Sequence, residues 1–143
     1  MTRPPDPVGL YEPFRQHGRL IALSAISSAI DGQLITGKAG REIEFASAQE
    51  AARRAAANLL AVLMDAVEGD GSRIEGLLLV RGYVNATEDF HLVHKVVDAA
   101  SEEIIERLGD RGRHARTALG CATLPNNNCV TLEAIAVLRD SVS

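Results

Sequence analysis

Arg116 sits in the run Ala115-Arg116-Thr117-Ala118-Leu119-Gly120, where its neighbours are small or apolar. A cation in such a strand costs free energy unless an anion or another acceptor meets it. A small carboxylate held by the guanidinium fork would do so. An ion pair with Glu133 or another acid, or an edge position facing water, would do so as well. Thr131 and Glu133 lie two residues apart in a second apolar run, so in a strand they share one face. Glu133 can act as a base or pair with a cation. Thr131 can hold a water by hydrogen bond but cannot serve as a general base near neutral pH. His94, next to the core stripe of the second helix, could serve as a proton carrier or be no more than a partly exposed helix histidine.

These residues must be placed by a fold that 143 residues suffice to build as one domain, 1–143. Aromatics are only 3% and Trp is absent, so the core must be made from Ala, Val, Leu and Ile. The net charge of -4 and the lack of any Lys/Arg run argue against a nucleic-acid partner. No apolar run reaches membrane-spanning length, and the polar, proline-rich opening is no signal peptide. A cytoplasmic protein is the expectation. Cys121 and Cys129 flank a turn and read as two small buried thiols, with a disulfide as the alternative. His17 and His114 have no metal-ligand spacing to each other or to the cysteines, so no metal site is expected. Gly37 to Gly40 lacks the lysine-serine/threonine pair of a phosphate loop.

Along the chain, Pro4, Pro5 and Pro7 make residues 1–10 an irregular arm. Tyr11 to Arg15 and Leu20 to Ser24 read as a hairpin about His17-Gly18. Residues 25–46 form a long loop punctuated by glycines. Ser47 to Glu50 reads as a capping box opening a helix, with Leu59, Leu60 and Leu63 on its apolar stripe and Gly69 and Gly71 at its stop. Ile74 to Val84 is a strand whose unalternating Leu77-Leu78-Leu79-Val80 run suggests cover on both faces. Thr87 is expected to cap a second helix bearing Phe90, Val93, Val97, Ala100, Ile104 and Leu108. Strands over 115–122 and 129–138 close the chain around a Pro-Asn-Asn-Asn turn. The order β-β-α-β-α-β-β is that of an α+β domain with helices on one face. The other face also needs cover, and another subunit is the simplest source.

The pattern Ala115-Arg116-Thr117, six residues, Leu124-Pro125, then Glu133-Ala134-Ile135-Ala136-Val137 resembles the signature of the RidA/YjgF reactive-intermediate deaminases. Tyr83-Val84, Asp89-Phe90 and Val93 stay in register with it, as do Gly9-Leu10-Tyr11 and Gly18 to Ser24. The resemblance implies a chorismate-mutase-like mixed sheet with two helices on one face, assembling as a homotrimer with pockets at the subunit boundaries. It implies hydrolysis of small 2-imino or enamine acids to 2-keto acids and ammonia, without cofactor or metal. Arg116 would hold the substrate carboxylate. Thr131 and Glu133 stand where the family motif usually carries two glutamates, the first of which handles the hydrolytic water. Tyr11 would lie at the pocket mouth and Phe90 on its wall. His94 takes the place of an asparagine. Ala25 stands where a glycine turns its carbonyl to the substrate, and the amide of Ala118 would meet the ligand. The alternative is a trimer that binds or senses small carboxylates without turning them over.

Overall fold

In the computed structural model the structure describes residues 3–139. Met1, Thr2 and the last four residues of the expected 1–143 domain lie outside the described residues. Seven elements follow one another: β1 (Phe14–His17), β2 (Leu20–Ser27), α1 (Phe45–Ala66), β3 (Ile74–Asn85), α2 (Val93–Leu108), β4 (Ala115–Cys121) and β5 (Val130–Leu138). The order is the one expected from the sequence. The strands form one five-stranded sheet ordered β1-β2-β5-β3-β4. Only β3 and β4 run parallel; the other pairs are antiparallel.

Both helices lie on one face. The alanines of α1 make its close approach possible: Ala48, Ala51, Ala52, Ala55 and Ala56 are wholly buried, with Leu59 and Leu63 behind them. Each such leucine contributes about 2 kcal/mol of burial. α2 crosses β3 at Gly82, where an added Cβ would stand 2.7 Å from the methyls of Val97. That glycine is therefore a close-approach position, and it fixes which side of β3 and β4 faces the helices.

Several details differ from expectation, among them that β2 runs on to Ser27 into the segment expected to be loop. The hairpin turn is Gly18-Arg19, with Gly18 at φ 60°, and Tyr11 precedes β1 instead of lying in it. α1 starts at Phe45, so Ser47 lies in the first turn and caps nothing; Glu50 reaches Arg54 instead, at 3.5 Å. The turn closed by Ile43 N–H to the Lys38 carbonyl sets the earlier entry. α2 starts at Val93, because the Thr87 hydroxyl is spent on Asp89 at 2.7 Å and the chain turns at Thr87–Phe90, closed by Phe90 N–H to the Thr87 carbonyl. The Leu77 to Val80 run is covered on one face only, and Leu78 remains half exposed at 52%. Leu20 and Leu119 are similarly open on the sheet face away from the helices.

Candidate functional site

The expected site residues fall into two groups on opposite faces of the sheet. The first group surrounds a cavity of about 390 Å³ bounded by the N-terminal arm, the end of β2, the Leu124–Asn126 turn and β5. Tyr11, Ala25 and Thr131 line it. A register shift between Leu23 and Ile26 in the β2–β5 ladder places Ala25 at a bulge, where it is exposed. Such bulges bend a strand and re-aim its groups. Thr131 Oγ1 accepts from Asn128 Nδ2 at 2.8 Å, which leaves its own hydroxyl hydrogen free to donate. Asn128 is almost wholly buried and otherwise satisfied by the Ser28 hydroxyl at 3.0 Å and the Val130 carbonyl at 2.6 Å.

Glu133 does not line the cavity; it reaches the wall through Tyr83. Tyr83 pairs with Thr131 across the β3–β5 ladder, and its hydroxyl donates to Glu133. Arg81 Nη1 approaches the same carboxylate at 3.5 Å. The bond to Glu133, with some burial, raises the Tyr83 pKa above its ordinary 10, so the phenol is held neutral.

The second group lies on the helix face, at the sheet edge. Arg116 of β4 is not a free guanidinium. Its Nη1 donates to Asp98 Oδ1 at 2.6 Å and to Ser101 Oγ at 3.2 Å, and its Nη2 donates to the His94 carbonyl at 3.3 Å. The Nε–H and one Nη2–H have no partner among the described residues. Lys95 Nζ stands 3.9 Å from the other oxygen of Asp98, so one carboxylate faces two cations. Ser101 is fixed in turn by His114, whose Nε2 lies 3.0 Å from its hydroxyl while Nδ1 donates to the Gly112 carbonyl at 2.5 Å. His94 contributes its carbonyl, and its side chain is exposed. Ala118 packs on the core beneath α2. Phe90 also packs there, against Gly40, where an added Cβ would come within 3.2 Å of the ring.

The register measures the separation of the groups. Arg116 lies opposite Val80, whereas Tyr83 lies opposite Leu119 and Thr131. Three residues of strand are roughly 10 Å, and the side chains point to opposite faces. Sequence reasoning missed Tyr83, Asn128 and Asp98 as site groups. Asp98 was within reach, since His94, Asp98 and Ser101 recur at i, i+4 and i+7 on one helix face. Tyr83 depends on strand pairing between residues 48 positions from Thr131, which no local pattern reveals.

Cys121 and Cys129 are both free and flank the end of β3, whose Asn85 pairs with Cys121 and donates its N–H to the Cys129 carbonyl. Cys129 is buried as expected, but Cys121 is only partly so. Among the described residues, no three His, Cys, Asp or Glu side chains gather as metal ligands, and no helix is long and apolar enough to cross a membrane.

No family model matches the chain. The chain is 32% identical to Protein TCP17 of Trypanosoma cruzi over 110 residues, 76% of this chain and 68% of that one. The crystal structure of Atu1372, a protein of unknown function from Agrobacterium tumefaciens, superposes with a TM-score of 0.89 at 38% identity, covering 94% of this chain and 86% of that one. The YjgF gene product of E. coli shares the fold at a TM-score of 0.69 and 22% identity, covering 96% of this chain and 94% of that one. With the sheet order, the paired helices and the Arg116-to-Pro125 motif in place, the chain belongs to the RidA/YjgF family.

Proposed function

We propose that this chain hydrolyses small 2-imino or enamine acids to 2-keto acids and ammonia, at a site completed when copies of it assemble as a trimer. One observation carries the reading. The carboxylate anchor and the water-holding groups lie on opposite faces of one chain, while the open sheet face still exposes Leu20 and Leu119. A second copy docked on that face would cover those leucines and bring its own half of a site to the first. A cytoplasmic setting belongs to the same reading, supported by two cysteines that are unpaired.

In this mechanism, the unpaired edge of Arg116 takes the substrate carboxylate. A water held by the Thr131 hydroxyl beside the Ala25 bulge adds to the imine carbon. Its proton passes to Glu133 by way of Tyr83, which gives up its own proton as it takes the water's. That proton returns along the same path to the imine nitrogen, giving the carbinolamine. The carbinol hydroxyl then yields its proton through the same relay to the amine as the carbon–nitrogen bond breaks, so the carbonyl forms and ammonia leaves. Imines of this kind hydrolyse in water unaided, so positioning and one charge-assisted bond supply enough acceleration, and no cofactor or metal is needed. The amide of Ala118 and the ring of Phe90 support the anchor side of the pocket.

A second reading is capture of a small carboxylate without turnover. It is favoured by Thr131 at the place of the family's glutamate and by Asp98 already occupying part of Arg116. Release of ammonia and keto acid from freshly generated 2-iminopropionate separates the two. Turnover above the buffer rate that is lost in Arg116→Ala supports hydrolysis. Rates equal to buffer for both proteins, with propionate binding lost only in the variant, support capture.

A further inference from the structure

We infer that the cavity under the N-terminal arm is a subsite for a bulky, uncharged apolar group, of leucine to phenylalanine side-chain size. Pro7 and Val8 of the arm, Ile26, Leu34, Val62 of α1 and Leu124 supply most of its wall. Its neutral polar groups are hydroxyls and amides of β2, β3, β5 and the Asn126–Asn128 turn, with the Tyr11 hydroxyl on the arm, which accepts from Val8 N–H. Of these, the Asn128 amide is already spent within the protein. No Lys, Arg or His lines it. Its one formal charge, Asp6, is largely exposed and paired with Arg3 at 3.2 Å. An anion finds no cation inside to offset its desolvation, so a charged end is favoured outside while an uncharged one enters.

Size points the same way. About 390 Å³ lies within the range that encloses whole small molecules. A methyl-sized substituent would leave most of these walls without contact and forfeit their dispersion attraction. The arm that roofs the cavity holds itself by internal bonds, Arg3 to Asp6 and Val8 N–H to the Tyr11 hydroxyl. Its first hydrogen bonds to the sheet come at Glu12 and Pro13, to Ser24. Val8 of this roof is 73% exposed, so an apolar guest would give it a surface to pack against. Each methylene buried there tightens binding roughly fourfold.

The inference builds on the hydrolysis reading only in naming the guest as the side chain of a 2-imino acid. The test is calorimetric titration with propionate, 4-methylpentanoate and 3-phenylpropionate. The neutral 4-methylpentan-1-ol serves as a probe independent of the anchor. At least tenfold tighter binding of the two larger acids is expected, together with binding of the alcohol. Val62→Phe and Leu34→Trp, two fillers on different elements, should each erase the gain. Equal affinities across the acids, no binding of any probe, or a gain that survives both fillers overturns the subsite. Ammonia release separates the two ideas. Equal turnover of alanine- and phenylalanine-derived imines sinks the subsite and leaves hydrolysis. No turnover of any imine, with the size series intact, does the reverse.

Discussion

The arm-covered cavity and the Arg116 cluster use the same sheet in opposite ways. The cavity is mainly apolar, its polar atoms are neutral donors and acceptors from the sheet, the Asn126–Asn128 turn and Tyr11, and its one charged group, Asp6, is exposed and paired with Arg3. The cluster is ionic: Arg116, Asp98 and Lys95 lie across the β4 edge and α2, steadied by Ser101 and His114. Each is a complete local solution. The cation on an apolar strand is met by a carboxylate from the helix above it, and the cavity needs no charge. Neither region alone combines a cation with an enclosed apolar space. One holds charge without room, and the other has room without a cation.

The strongest way to break this contrast is Arg116→Ala. Losing a charge-assisted fork should cost about 2–3 kcal/mol, a loss of about 100-fold in carboxylate affinity and in kcat/KM. Binding of a neutral apolar alcohol should not change, and calorimetry reads both. Next comes Tyr83→Phe, which cuts Glu133 off from the cavity. We expect about tenfold lower turnover with binding retained. In a Tyr11→Phe background the tyrosinate absorbance of Tyr83 should have its midpoint above the ordinary 10, and Glu133→Gln should move that midpoint down. The raised pKa means the folded state favours the neutral phenol. Its contribution is therefore full below pH 10 and lost as pH climbs through the folded midpoint.

Asp98→Asn sharpens the comparison from the other side. A part-exposed ion pair contributes up to about 1 kcal/mol, so the melting temperature should fall slightly. Carboxylate binding should tighten several-fold, because the guanidinium loses its resident competitor. Weaker binding would instead make Asp98 the group that orients Arg116. The smallest effects belong to the thiols. Burial raises Cys129 from 9.0 to about 11, so it should resist thiol reagents in the native state while Cys121 reacts. The stability from that neutral thiol is whole below pH 9 and fades as pH rises through about 11.

Much of the scaffold could be read from local pattern. The alanine and leucine stripe of α1, the paired terminal strands and the turn of asparagines are all there; Asn126 and Asn127 even adopt the positive φ that asparagine tolerates. Helix starts were misread because Ser47 and Thr87 have good capping chemistry, yet a tertiary turn and an Asp89 bond decide otherwise. The residue types of the site were legible, but their grouping was not. Whether Arg116 meets Glu133 or Asp98 depends on which face of a non-local ladder each occupies. That in turn depends on Gly82 letting α2 descend onto β3.

The central claim, that the charged half and the roomy half form one site only between copies, is tested most directly by mass measurement in native solution. The account predicts a species about three times the 15.3 kDa chain at micromolar concentration. A monomer at 15.3 kDa that still binds propionate would contradict it.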